Sequence, residues 1–423
     1  MPFEEKLGIS ADEILSWGQP QGAKIDAPLS MFILALHMSA YCNGVSKLHG
    51  AVARRMWSFI WPQRTEEEVP ISHVTNGIHI PSFISQEFAY LFDRYLGPDW
   101  FLASRKPELI KRIAVIYDEE LWRGHETNRS RLVRTCRRRL VRQYEQRNAP
   151  RKVLEAVESA LDQDTLTIAF ARRIATYKRA GLLLKDPERL ESIINNPKYP
   201  VQFIFAGKAH PRDNEGKELI KQLFQFASKP EVRDKIVFLE DYDMHLARHL
   251  LQGADAWLNT PRRPLEACGT SGIKAAINGV LNVSILDGWW CEGYSKERGW
   301  RIGNGEEYED LGYQDTVESQ ALYNVLENEV IPCFYDRKNG DLPAGWLQMM
   351  KASMKMAMES FCSLRMVSDY EKQYYIPAAR RWEELLAEEA EEAKKLAAQS
   401  NRLRTLWKNI EIGSPLRDTS GPY

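Results

Sequence analysis

Two stretches of this 423-residue chain combine residue types that can do chemistry. The first, Glu266 to Gly279, reads EACGTSGIKAAING. Gly269, Thr270, Ser271 and Gly272 precede a helix-favouring run from Ile273 to Ile277. Thr or Ser at a helix cap, flanked by glycine, leaves backbone N–H groups pointing out of the helix start. Those groups and the helix dipole attract phosphate. Lys274 is expected in the first turn, where the dipole disfavours an ammonium and should lower its pKa. The neutral amine is the form that attacks an aldehyde. A phosphate cradle beside a nucleophilic amine fits pyridoxal 5'-phosphate, held by the helix at one end and bonded to lysine at the other. The bland alternative is an ordinary helix cap followed by a surface lysine.

The second stretch, Phe170 to Arg179, reads FARRIATYKR and follows an expected strand. Arg172, Arg173 and Lys178 would then cluster at the strand's C-terminal end, where guanidinium forks and an ammonium neutralise a phosphate dianion. Against this stands a basic helix start facing solvent. The polar turns NGVSKLH (Asn43 to His49) and VTNGIHIP (Val74 to Pro81) form hydrogen-bonding sites for sugar hydroxyls or simply turns. The histidines show no HExxH-type spacing, and His245 and His249 have no evident third ligand, so no metal is expected.

These residues need elements to hold them. From Thr165 onward, β-branched runs alternate with amphipathic stretches. Strands are expected at Thr165–Phe170, Val201–Ala206, Lys235–Leu239, Ala256–Asn259 and Val280–Leu286. Helices are expected near Arg179–Ile194, Asn214–Ala227 and Asp243–Gln252. That alternation implies βαβ units, a parallel sheet and an α/β fold, with ligands at the strands' C-terminal ends. Upstream, helical spacing runs from Ala27 to Trp61 with a break at Asn43-Gly44, then Ile71–Pro81 reads as strand and turn. Ser85–Arg147 is helical and ends in a basic run, read as a solvated helix with Leu132, Cys136, Leu140 and Tyr144 on its buried face, or else as a polyanion site. The end is helical after Gln314, with a proline-opened helix from Pro377 to Gln399 and a strand-like NIEI at Asn409–Ile412.

Composition bounds the function. Apolar residues make up 44 % and charged residues 27 %, with a net charge of −1, which argues against nucleic acid or an anionic membrane as main partner. The six cysteines lack CxxC or zinc spacing and read as reduced thiols of a cytoplasmic protein. The start, MPFEEKLGIS, has no signal-peptide character, and no apolar run is long enough to span a membrane.

Together the motifs NGVSKLHGAVARRMW, ISHVTNGIHIP, FARRIATYKRA, IFAGKAHP, FLEDYD, NTPRRPLEACGTSGIKAAINGVLNVSILDGWW and RMVSDYEKQYY resemble the α-glucan phosphorylases, nearest the short prokaryotic type. The resemblance implies a glycosyltransferase-B fold with facing Rossmann-like domains. It implies phosphorolysis of a terminal α-1,4-glucosyl unit to α-glucose 1-phosphate with retention, using α-1,4-glucan and inorganic phosphate. Lys274 falls where the family carries pyridoxal phosphate. Thr270, Ser271, Gly272 and Arg172 fall where its phosphate is held, and Tyr242 near its ring. Arg173 and Lys178 match the substrate-phosphate groups. Asn76, Tyr177, Glu266, Ala267, Cys268 and Gly269 match positions lining the glucose site.

The expected domains are 1–75, the end of an N-terminal glycosyltransferase-B domain, and 76–385, the Rossmann-like cofactor domain with a helical insertion at about 85–155. A helix and tail at 386–423 complete them. Arg172 stands where the mammalian and plant type has lysine, Asp243 where it has arginine, and Cys268 where serine is usual. Family members are nearly twice as long, so the expectation is a cofactor-bearing half whose partner is a separate N-terminal-domain chain or a second copy. The alternatives are a non-catalytic glucan-binding subunit and a retaining glycosyltransferase of glycogen synthase type. In the latter, an acceptor glutamate would stand at the position of Lys274.

Overall fold

The computed structural model describes residues 8–337 and 341–407, apart from 21 and 23–26, together with 409, 410 and 413. The chain divides into two compact units, Met1–Val367 and Ser368–Tyr423.

In the first unit, helix α1 (Met31–Met38) and helix α2 (Lys47–Trp57) are capped by Ser30 and Ser46, whose side chains accept from the first-turn N–H groups of Ile33 and His49. The break expected at Asn43-Gly44 is a short strand, β1 (Cys42–Gly44), paired in parallel with β2 (Ile71–His73). Helix α3 (Gln86–Leu96) and the 28-residue helix α4 (Asp118–Glu145) follow. On α4, Leu132, Cys136 and Leu140 are buried and Tyr144 packs beside them, as the four-residue spacing requires.

The main sheet has six parallel strands: β3 (Leu166–Ala171), β4 (Val201–Ala206), β5 (Ile236–Leu239), β6 (Ala256–Asn259), β7 (Leu281–Ile285) and β8 (Gly299–Ile302). Their order is β5-β4-β3-β6-β7-β8. Five were expected from sequence; β8 was not, because GWRI is short and follows the polar run Ser295–Arg298. Side chains alternate between two apolar clusters. Ile168, Phe170, Phe203 and Phe205 enter one, while Ala169, Ala171, Ile204 and Ala206 enter the other. Both faces are therefore covered, which explains the unbroken apolar runs.

The intervening helices are α5 (Pro187–Ile194), α6 (Asn214–Ala227) and α7 (Met244–Gly253). The helix expected from Arg179 starts only at Pro187. Arg179 adopts a left-handed φ of 45°, and its guanidinium pairs with Asp315 at 3.0 Å, so tertiary pairing overrides local helical preference there. Helix α8 (Thr270–Ala276), helix α9 (Leu311–Val325) and helix α10 (Ala344–Ser360) follow in this unit, among shorter helices.

One buried polar group ties α4 to the sheet. Asp255 Oδ1 lies 2.7 Å from both His125 Nε2 and Arg129 Nη1, and Oδ2 accepts from Thr167 N at 2.7 Å. Those partners hold the Asp255 carboxyl below its ordinary range against the opposing effect of burial.

In the second unit Pro377 is the second residue of α11 (Ile376–Trp407), which contains non-helical backbone at residues 387–390. Asn409 lies in a turn, and the rest of the strand expected at Asn409–Ile412 falls largely outside the described residues.

Candidate active site

Strand order reverses between β3 and β6, so the segments leaving their carboxyl ends diverge and open a crevice. Arg172 and Arg173 leave β3, and the loop from Thr260 to Gly269 leaves β6. Beyond β3 the chain stays alongside the extension of β4, with Ile174 N donating to Lys208 O at 2.9 Å. Successive side chains there take opposite sides: Arg172 is buried and Arg173 exposed.

Glu266 joins the two segments. Arg172 Nη2 donates to Glu266 Oε2 at 2.5 Å, and Lys178 Nζ lies 3.7 Å from the same oxygen. Arg172 Nη1 reaches Asn259 Oδ1 at 3.5 Å, while its buried Nε has no hydrogen-bond partner among the described residues. Burial and the Arg172 charge pull the Lys178 pKa down to about 8; Glu266 opposes them and Arg173 adds to the fall. Burial and Glu266 push the Tyr177 phenol up, against the two arginines. Arg172, Lys178, Tyr177 and Glu266 are thus brought together, with Arg173 near enough to act on them electrostatically. The alternative of a solvent-facing basic helix start does not hold, because Arg172 and Lys178 are 8 % and 12 % exposed.

Two nearly buried cations sharing one carboxylate oxygen, a third cation beside them and an orphaned guanidinium N–H suit a bound dianion. Tyr242 borders them. Burial raises its pKa to about 12, the Arg172 charge opposes this, and its hydroxyl points at Ala171 O, 3.5 Å away.

Helix α8 departs from expectation in two ways. Its N-cap is Gly269, at φ 83°, and no side chain caps it; Thr270 and Ser271 are its first two residues. Only glycine takes that backbone without strain. Lys274 accordingly lies in the second turn, the last of this short helix, beyond the reach of a dipole that fades within one turn. Its pKa is lowered all the same, by burial. The ammonium sits 4.3 Å from the centre of the Phe83 ring and has no carboxylate within ion-pair distance among the described residues. Ser271 Oγ accepts from Trp257 Nε1 at 3.3 Å. Gly272 answers to packing, since a Cβ there would come within 2.5 Å of Asn282 Oδ1 and 2.9 Å of Trp289 Nε1. A half-buried amine without a counter-ion, one turn from uncapped N–H groups, fits a carbonyl compound that also carries phosphate.

The remaining expected residues meet around the loop 266–269. Ala267 O accepts from Ser46 Oγ at 2.6 Å. The Cys268 thiol, pushed up to about 12 by burial, meets the Asn76 backbone, so Cys268 is an inert thiol.

The match to known proteins decides the family: residues 23–300 fit the carbohydrate phosphorylase family profile. The chain belongs to the carbohydrate phosphorylases. It is 45 % identical to the glycogen phosphorylase of Aquifex aeolicus over 81 % of this chain and 49 % of that one. It is 40 % identical to the maltodextrin phosphorylase of Thermococcus litoralis, over 96 % of this chain and 47 % of that one. Identity to the glycogen phosphorylase of Mycobacterium tuberculosis is also 40 %, over 96 % and 46 %. The chain spans about half the length of these relatives.

Several residues that shape this phosphorylase crevice escaped the sequence reading. Asp287, fully buried, accepts from Glu266 N at 3.0 Å and from Gly288 N at 2.8 Å. Burial raises its pKa to about 7 despite those bonds. Glu292 binds Thr75 Oγ1 at 2.8 Å and Lys47 N at 2.9 Å, joining the β1–β2 region to the turn after β7. Asn278 bonds Phe83 O and Lys274 O, each at 2.9 Å, and so holds the aromatic ring over the lysine. The available signal was an aspartate just past a buried strand, in LDGWW, which is where parallel sheets place functional carboxylates.

Proposed function

We propose that this chain supplies the Rossmann-like, cofactor-bearing half of a glycosyltransferase-B-fold α-1,4-glucan phosphorylase. The enzyme releases terminal glucosyl units as α-glucose 1-phosphate with retention, in the cytoplasm. The observation that carries the reading is a crevice in which Arg172 and Lys178 share the carboxylate of Glu266, with Arg173 exposed beside them, together with the counter-ion-free amine of Lys274.

Pyridoxal 5'-phosphate, when bound, supplies a phosphate that exchanges a proton with substrate phosphate. In this reading Lys274 would hold the cofactor by its amine. The N–H groups at Thr270 and Ser271, with the Arg172 guanidinium, would hold its phosphate and Tyr242 would flank its ring, whereas Gly272 N–H donates to Gly269 O at 3.2 Å and serves by its lack of a side chain. Arg173 and Lys178 bind inorganic phosphate; with its pKa at about 8, Lys178 is mostly charged at neutral pH. The phosphate between them faces the oxocarbenium-like transition state, where adjacent negative charge is worth most in a water-poor crevice. Asn76, Tyr177, Glu266, Ala267, Cys268 and Gly269 line the glucosyl site, and Asp287 positions Glu266 through its backbone. We take residues 1–75 as the edge of the facing domain and 76–367 as the cofactor domain; the boundary expected at 385 falls inside the second compact unit, Ser368–Tyr423.

The test is spectroscopic. The purified chain, titrated with pyridoxal phosphate, should gain a near-ultraviolet or visible band that Lys274→Ala abolishes. Glucose 1-phosphate release from maltooligosaccharide is then measured with the chain alone and with a relative's N-terminal half supplied in trans. A spectrum indifferent to the cofactor, or a band that survives Lys274→Ala, would overturn the assignment.

A further inference from the structure

The arginine run of α4 contains a groove that the proposed reaction leaves unused. It is a cavity of about 410 Å³ between the C-terminal half of α4 and the segment Glu240–His245 that leads into α7. Arg138, Arg139 and Arg142 line one wall.

Arg138, Arg139 and Arg142 face Glu240, Asp241 and Asp243 across the groove, but the carboxylates have partners that leave two of the arginines free among the described residues. Each of its carboxylates already has a basic partner: Glu240 with Arg147, Asp241 with Lys208 at 3.7 Å, and Asp243 with Arg139 at 2.7 Å. Arg138 and Arg142 have no carboxylate within 4.0 Å among the described residues. Arg138 makes only a long contact with Thr135 Oγ1, at 3.5 Å. The positive charge reaches further, since Arg131, Arg138 and Arg139, with His245, help to depress His249 to about 4, mainly a burial effect.

Geometry narrows the ligand. Arg138 and Arg142 are one turn apart, so their side chains leave the helix about 6 Å apart along its axis and on the same face. Two guanidiniums on one helix face suit a group with two adjacent anionic centres, and arginine favours phosphoryl oxygens through bidentate contacts. The volume exceeds that of a diphosphate and falls in the range of small-molecule sites. We infer that this groove is a second anion site, taking the diphosphate group of a small ligand. It is separate from the Arg172 crevice: Tyr242 packs toward the sheet, while its neighbours Asp241 and Asp243 line the groove. The inference does not depend on the assignment of Lys274.

Calorimetric titration of the full chain tests it, with inorganic pyrophosphate and ADP as separate probes. The variants are Arg138→Gln/Arg142→Gln, at exposed positions, and Arg173→Gln in the crevice. Wild type should show a pyrophosphate-binding class that survives Arg173→Gln and weakens at least tenfold in the double variant, with an unchanged thermal melt. Tighter ADP than pyrophosphate at that class would assign the groove to a nucleoside diphosphate, and equal affinity to the free diphosphate. Absence of this class in wild type, or affinity within twofold in the double variant, overturns the inference.

Discussion

Arg172, Arg173 and Lys178 gather where β3 ends, and eight arginines lie between residues 129 and 147 of the long helix region. By composition the second group is the stronger basic feature. The difference lies in what surrounds each charge. In the crevice, two cations are nearly buried and share one carboxylate, so solvent cannot screen them and an incoming anion gains most of their field. On α4 most guanidiniums reach water, and several pair outward, as Arg131 does with Glu87 at 2.5 Å. Arg129 is the exception, buried against Asp255 and lying 5.3 Å from the Trp122 ring centre. Burial and partner, and not the number of basic residues, set how strongly each region attracts an anion.

The largest break in that comparison should come from Asp255→Ala. It strands Arg129 in the interior, and losing one partner of a buried pair typically costs about 4 kcal/mol. The urea midpoint should fall accordingly; a loss below about 1 kcal/mol would mean that Arg129 escapes to solvent. Glu266→Gln should come next, at roughly 3 kcal/mol, because Arg172 and Lys178 lose their shared carboxylate. Unlike the Asp255 variant, it should regain stability when inorganic phosphate is added, and denaturation with and without phosphate tells the two apart.

Lys178 sharpens the contrast through pH. Its folded pKa of about 8 lies below the unfolded lysine value. The unfolded chain therefore holds more protons between that pKa and the unfolded value, so this group's contribution to stability rises with pH across the window. Affinity for the phosphate dianion should move the other way, falling about tenfold from pH 7 to pH 9 as the amine loses its charge. In Lys178→Arg calorimetry should find that fall largely removed.

A smaller effect is expected at Lys274. Replacing a desolvated, unpaired ammonium with Lys274→Met should raise unfolding stability slightly, by less than about 1 kcal/mol in a urea titration, because the lost ring contact is itself worth about that much. The smallest belongs to Arg151→Ala, which removes an exposed pair with Glu155 and should change stability by under about 0.5 kcal/mol. A larger loss there would mean that α4 and its neighbours rely on surface charge after all.

Much of the fold was legible. Apolar runs located five of six sheet strands within one residue at each end, because strands buried on both faces must be apolar throughout. The strand that escaped, β8, is a short edge whose polar approach hides it. Within the site, Arg172, Lys178 and Glu266 were legible as residue types that the chain places after β3 and β6. Their sharing of one carboxylate oxygen was not, since 94 residues separate Arg172 from Glu266. The position of Lys274 was misjudged by one turn, because a left-handed Gly269 rather than a hydroxyl side chain starts α8. Asp287, Glu292 and Asn278 were missed for a related reason: each joins segments distant in sequence, to Glu266, to Lys47 and Thr75, and to Phe83 respectively.

By itself, then, the amino-acid order determined the elements, the family resemblance and the inventory of reactive groups, since these depend on local periodicity and residue type. Tertiary structure alone decided which charges are desolvated and what each one faces. Sequence spacing carries no dielectric, and the same lysine or arginine changes its chemistry when packing removes water and supplies, or withholds, a counter-ion.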